Sequence, residues 1–211
     1  MKIVSGSDDK TIKIWHRDGR LINTIQEKDK VNTVIFSPDG KHILSSVGDK
    51  MLKLWSLDGE LIDTFEDHTD IVSKATFSPD GKMIASVSDN DTVILWDVEK
   101  KKLKKRINND DREVNSINFS PESNILAIDY GYGLVTLYLL NGIFLKETQL
   151  YTTNSFLGEK FSPDGKAIAV QNQSGVLLLN ADLDDLLNRA CNWASAYLKT
   201  TDDESIKHLC D

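Results

Sequence analysis

Catalysis or metal binding in this 211-residue chain would fall to four histidines, two cysteines and 33 carboxylates. A zinc site takes three or four Cys, His or carboxylate ligands. His16, His42, His68 and His208 are far apart, and Cys191 and Cys210 make neither a ligand set nor a disulfide framework. No nucleophile elbow pairs a serine or cysteine with a histidine, and no glycine-rich phosphate loop leads into a helix. The glycine-rich stretch DYGYG at 129–133 stands where other parts of the chain carry SVGDK or SVSDND, so it reads as a turn. Residues 100–106, KKKLKKR, are the one basic run. Such a run either attracts polyanions or lines a sheet edge, where lysines discourage edge-to-edge pairing. The second reading fits its position after an apolar run. The expectation is a protein without catalytic residues, metal or cofactor.

The carboxylates recur at fixed offsets, which turns attention to the elements that carry them. FSPDG occurs at 36–40, 77–81 and 161–165, with a worn copy, FSPES, at 119–123. The phenylalanines are spaced by 41, 42 and 42 residues, and all four prolines lie inside these copies. A fixed period of this size marks a repeat architecture. Ser-Pro-Asp-Gly is turn chemistry: proline presets φ, aspartate accepts from the backbone, and glycine takes positive φ. Apolar runs flank each copy, VNTVIF before and HILSSV after in the first case. A third run ends nineteen residues after each phenylalanine, at Trp55, Trp96, Tyr138 and Asn180, and a first such run ends at Trp15. A fourth short run follows in most units. Four strands per unit of about 40–45 residues is the content of a propeller blade.

The stretch DHTDIVSKATFSPDGKMIASVSDNDTVILWD at 67–97 resembles the WD-repeat β-propeller family, and the likeness extends over roughly residues 2–180. The resemblance implies an all-β fold, a partial β-propeller of about five four-stranded blades with both end blades incomplete. The first blade lacks its innermost strand and the last its outermost. It also implies a structural hydrogen-bond network joining a His, a strand Ser, a turn Asp and a Trp in each blade. Carried over by position, this network takes His68, Ser86 or Ser88 and Trp96 in one blade, Asp49 and Trp55 in another, and Asp9 and Trp15 in the first. Glu27, Asp110 and Thr152 stand where the His belongs, Asn90 replaces one turn Asp, and Tyr138 and Asn180 replace the Trp. A complete or nearly complete network is expected in one blade only.

Residues 1–180 therefore read as blades and 181–211 as a helical tail. Leu183, Leu186, Leu187, Ala190, Trp193, Ala194, Tyr197 and Leu198 fall at helical spacing and would cap the last blade. Composition is that of an ordinary globular protein, 40% hydrophobic and 27% charged. A net charge of −8 argues against a nucleic-acid partner. There is neither an apolar run of membrane-spanning length nor a secretory signal at the start, so no membrane role is expected and the cytoplasm is the expected compartment. The family's loop face commonly binds proteins. Here it would present Lys28, Lys30 and Arg112 with Tyr130, Tyr132 and Tyr151, residue types enriched at interfaces. The tyrosines either anchor a partner or fill the space left by the missing tryptophan at 138.

The functional expectation is a non-catalytic scaffold or sensor segment that binds other proteins. It would be the C-terminal part of a larger signalling chain, resembling bacterial, cyanobacterial-type WD-repeat proteins. The alternatives are an enzyme with a site at the channel mouth, or a truncated fragment without independent function. Against the enzyme, the innermost strands offer Asn32, Thr33, Lys74 and Asn115 without a convergent catalytic set. Self-association through the open edge of the first blade is also expected.

Overall fold

The structure is a computed structural model that describes residues 2–107, 112–130, 134–140, 144–149, 156–172, 175–182 and 185. Among the described residues it is all-β: eighteen strands in five antiparallel sheets, the architecture of a partial β-propeller. The first sheet holds β1 (Lys2–Gly6), β2 (Thr11–His16) and β3 (Leu21–Gln26). The second holds β4 (Val31–Phe36), β5 (His42–Val47), β6 (Leu52–Ser56) and β7 (Leu61–Phe65). The third holds β8 (Val72–Phe77), β9 (Met83–Ser88), β10 (Val93–Asp97) and β11 (Lys102–Ile107). The fourth holds β12 (Ser116–Phe119), β13 (Ile125–Asp129), β14 (Leu134–Leu139) and β15 (Phe144–Gln149). The last holds β16 (Phe156–Phe161), β17 (Ala167–Asn172) and β18 (Gly175–Asn180). Cys191, Cys210 and nearly all of the expected tail lie outside the described residues.

The strands within each sheet pair in chain order, and β4, β8, β12 and β16 follow one another as neighbours. In the three four-stranded sheets and in the last sheet the FSPDG-type turn joins the first and second strands. Gly40, Gly81 and Gly165 take φ of +67°, +72° and +71°, the left-handed region that glycine enters without steric cost. In the worn copy Ser123 occupies that conformation at φ +59°. Its hydroxyl accepts the backbone N–H of Asp80 from the preceding sheet at 3.0 Å, which offsets the local strain. The serine opening each turn closes it: Ser78 Oγ donates to Asp80 at 2.6 Å and accepts the Met83 N–H at 2.9 Å.

Apolar cores lie between consecutive sheets. Ile12, Ile14 and Ile25 of the first sheet cluster with Ile43, Val47 and Trp55 of the second. Leu44, Leu52, Leu54 and Phe65 of the second cluster with Ile84, Ile94 and Trp96 of the third. The second strand of a blade is thus buried on both faces, which is why HILSSV and MIASVS read as continuous small or apolar runs without alternation. The fourth strand is half-exposed, and β11 presents lysines to solvent in strict alternation. Polar residues of the inner strands tie the sheets together. Asn32 Nδ2 donates to the Val72 carbonyl at 3.2 Å, Thr33 Oγ1 to that of Ser73 at 3.1 Å, and Lys74 Nζ to that of Val114 at 2.9 Å. Three of the four polar side chains expected near a channel mouth, Asn32, Thr33 and Lys74, are therefore engaged in joining blade to blade.

Candidate functional site

One bond recurs in the first three sheets. The indole N–H of Trp15 donates to Ser5 Oγ at 3.0 Å, that of Trp55 to Ser45 at 2.9 Å, and that of Trp96 to Ser86 at 2.8 Å. In each case the pairing of the tryptophan's strand with the strand that follows it slips at the tryptophan, between Ile14 and Trp15, Leu54 and Trp55, and Leu95 and Trp96. A bulge re-aims the side chain it carries. Tyr138 sits at the same slip in the fourth sheet, but Ile128 occupies the serine's position and is fully buried.

In the third sheet the chain of bonds continues from Ser86. His68 Nε2 lies 2.6 Å from Ser86 Oγ and Nδ1 3.0 Å from Ser88 Oγ, which donates to Asn90 Oδ1 at 2.6 Å. Each hydroxyl carries one proton. Ser88 spends its proton on Asn90, so it accepts from Nδ1–H, and Nε2 accepts the proton of Ser86. The ring is neutral. Burial, with a smaller contribution from the Arg106 cation, lowers the His68 pKa to about 4. A general base for neutral pH would need a value near 7. Trp96 is 1% exposed and meets Phe65 edge-on with ring centroids 5.4 Å apart.

The second sheet builds a different network where the sequence comparison saw only a departure. Glu27 replaces the histidine, and its buried carboxylate accepts from Ser45 Oγ at 3.1 Å and from Lys53 Nζ at 2.8 Å. Lys53 also pairs with Asp49 at 2.7 Å. Trp55, Ser45, Glu27, Lys53 and Asp49 form one continuous path. The third sheet runs the same course without charge, with Ile94 in place of Lys53 and Asn90 in place of Asp49. Beside the neutral histidine network of the third sheet, the second sheet thus holds an ionic one that the sequence reading did not expect. Burial alone would lower the Lys53 pKa, but the hydrogen bonds it donates to Asp49 and Glu27 outweigh it and hold the ammonium above its ordinary value. A lysine inside the otherwise apolar run MLKLW was the available signal. Such a residue needs a buried partner of opposite charge.

The first sheet repeats half of this path. Trp15 and Ser5 are bonded, and Lys13 stands 3.9 Å from Asp9. Asp9 also accepts from Thr11, whose side-chain and backbone bonds hold its carboxyl below the usual range.

The residues expected on the loop face divide into two places. Lys28 and Lys30 are exposed, and Lys30 lines a cleft of about 600 Å³ with Asp8, Asp29, Asn32, Gly48 and Asp89. Arg112 is half-buried and lies over the Tyr130 ring at 5.8 Å. Tyr130 itself is 5% exposed, packed with Val114, Ile128 and Leu140. Its ring lies in the core between the third and fourth sheets. Tyr132, Tyr151, Asp110 and Thr152 lie outside the described residues. No group of three or more potential metal ligands occurs among the described residues, and no described helix is long and apolar enough to cross a membrane.

Comparison with known proteins finds likenesses over part of the chain. A stretch of 44 residues is 46% identical to nuclear distribution protein nudF 2 of Talaromyces marneffei, covering 20% of this chain and 10% of that protein. Forty residues are 55% identical to the ribosome biogenesis protein BOP1 homologs of Drosophila ananassae and Drosophila grimshawi, covering 18% of this chain and 5% of each of those. The chain thus matches only a small part of the length of these relatives. Residues 1–16, 19–56 and 59–97 match the family described as WD domain, G-beta repeat. Over those residues the repeated Trp–Ser bond, the matched turns and the stacked antiparallel sheets go with a likeness to WD40 repeats.

Proposed function

We propose that this chain is a non-catalytic protein-interaction scaffold, acting as a segment of a larger regulatory or signalling protein. The observation that carries the reading is where the chemistry-bearing side chains are spent. His68, Ser86 and Ser88 satisfy one another, Glu27, Lys53 and Asp49 do the same, and Asn32, Thr33 and Lys74 clamp adjacent sheets. What faces solvent is loop and edge. WD40 repeats are generally scaffolds for protein association, and the curated relatives that the chain matches in part are named for nuclear distribution and ribosome biogenesis.

The binding surface on this reading is the loop face bearing Lys28, Lys30 and Arg112; Lys30 lines the acidic cleft of Asp8, Asp29 and Asp89, and Arg112 stands elsewhere, over Tyr130. Tyr132 and Tyr151 belong to the same proposed face; Tyr130 supports it from beneath as the ring under Arg112. The test is a binding assay with a partner isolated on the intact chain, repeated with Lys28→Glu and Lys30→Glu together. The expected result is at least tenfold weaker association with an unchanged melting temperature. Undiminished binding removes the loop face from the proposal. Turnover in a broad substrate screen that a point variant abolishes removes the scaffold reading itself.

A further inference from the structure

The FSPDG turns follow the inner strands and so lie at the end opposite to Lys30 and the loop face. Between the second and third sheets these turns frame a cleft of about 480 Å³. Leu54, Phe77 and Val98 give it an apolar floor. Asp39, Asp80 and His42 supply its titratable lining, and among the described residues no lysine or arginine lines it. Both sheets have a further neighbour, β1 against β4 and β12 against β8, so the cleft lies inside the stack and not at an end of it.

The corresponding places further along are filled. Backbone bonds set the correspondence: the N–H of Val98 donates to the Lys82 carbonyl, that of Leu140 to Asn124 and that of Ala181 to Lys166. Between the third and fourth sheets Leu140 takes the place of Val98, Met83 that of His42 and Ser123 that of Gly81. Met83, Phe119 and Leu140 belong to one buried cluster, and the Ser123 hydroxyl takes the Asp80 N–H at 3.0 Å. Between the fourth and last sheets the hollow is about 150 Å³, and the cation of Lys166 lines it. A Cβ at Gly81, by contrast, would meet nothing nearer than Pro38 Cδ at 3.8 Å. The open, anionic cleft is particular to the second and third sheets.

Its charge is held in place by the turns themselves. The Ser37 hydroxyl and the Lys41 N–H donate to Asp39 Oδ1 and keep that carboxyl below the usual range. Burial would raise the Asp80 carboxyl, but the Ser78 hydroxyl and the Lys82 N–H outweigh it. The two side chains stay 49% and 36% exposed. The nearest cation, Lys82 Nζ, is 3.9 Å from Asp80 and itself 79% exposed, a surface pair of little strength. His42 Nδ1 stands 4.0 Å from Asp39.

We propose that this cleft is a binding site for a small organic cation, an ammonium or guanidinium carried on an apolar body. The body covers Leu54, Phe77 and Val98, and the cation pairs with Asp39 and Asp80. A volume of this size, with an apolar floor and a few charged groups, suits a small molecule, whose sites span roughly 300–1,000 Å³. An anion of the same shape is repelled by both carboxylates. This site goes beyond the loop-face reading, lies at the other end of the strands, and stands or falls without it.

The probe is phenethylamine, titrated into the intact, isotope-labelled chain and followed by nuclear magnetic resonance, beside its neutral analogue phenethyl alcohol and its anionic analogue phenylacetate. Saturable shifts are expected at residues 37–42, 77–81 and 98. The amine should bind at least about fivefold tighter than the alcohol, the effect of one exposed ion pair, and phenylacetate should give no shift. Asp39→Asn with Asp80→Asn keeps both turn acceptors and should make amine and alcohol equal. Val98→Leu, which copies Leu140, should weaken both alike. No saturable shift with the amine overturns the proposal, as does equal binding of amine and alcohol to the parent chain, or unchanged affinity in a folded Val98→Leu chain. A short peptide with arginine next to phenylalanine that displaces the amine at a lower concentration than the amine's own also overturns it, since the occupant would then be a protein segment.

Discussion

Replacing Lys53 by isoleucine should cost more than replacing any exposed lysine, and most of the loss should be recoverable without restoring the lysine. The side chain is 9% exposed and holds two carboxylates, Glu27 at 2.8 Å and Asp49 at 2.7 Å. Lys53→Ile leaves Glu27, 2% exposed, as a carboxylate with Ser45 as its remaining bond. Removing one partner of a buried ion pair costs roughly 3–5 kcal/mol, because the other charge stays desolvated and unmatched. For a chain of this size that corresponds to a melting point lower by roughly 6–20 °C. The volume itself is not at issue, since Ile94 occupies the equivalent place in the third sheet and is fully buried. Adding Glu27→Gln removes the stranded charge and keeps an acceptor for Ser45. The double variant should fall within about 1–2 kcal/mol of the parent, as apolar replacements of buried pairs often do. Urea unfolding followed by tryptophan fluorescence reads both. A Lys53→Ile loss below about 1 kcal/mol, the scale of a surface pair, or a double variant no better than the single, would refute the ionic path.

Trp96→Ala should destabilise by roughly 3–5 kcal/mol and clearly more than Trp15→Ala, because Trp96 is 1% exposed whereas Trp15 is half-buried; denaturant melts in the reverse order would count against the packing described. Ser123→Ala should cost about 1 kcal/mol, since it keeps a left-handed φ and loses the bond from the Asp80 N–H, while Ser123→Gly relieves the strain and should be near neutral by thermal melting. Stability should also fall with pH through His68. Its folded pKa, about 4, lies below the ordinary 6.5, so the unfolded chain binds the proton first; stability present above pH 6.5 is lost progressively as pH falls toward 4, by about 3 kcal/mol, and His68→Gln should flatten that part of the profile. A profile unchanged by the substitution would contradict it.

The architecture was legible because its punctuation is chemical. Each FSPDG copy needs a residue at positive φ, and the spacing of those turns yields the observed arrangement of three, four, four, four and three strands. The neutral network was legible at His68, where the residue types match the family pattern. The ionic one was not, because it is reached by another chemistry: Glu27 looks like a loss until Lys53, two residues before Trp55 in a buried run, is asked where its charge goes. Tyr130 was equally opaque. Exposure in a loop and burial against Val114 and Ile128 follow from its neighbours in space, and the sequence carries no periodicity there to tell them apart. The slips at each tryptophan also leave no mark in composition, since a bulge is one extra residue in a strand that otherwise alternates normally.

The account rests on His68 being a structural residue of its blade and not a base serving chemistry. The most direct measurement is a nuclear magnetic resonance titration of its ring in the intact chain, with His68→Gln to assign the signal. The account predicts a neutral ring with hydrogen on Nδ1 down to about pH 5 and a midpoint near 4. A midpoint at or above 6.5, with the ring charged at neutral pH or exchanging its proton freely with solvent, would contradict it.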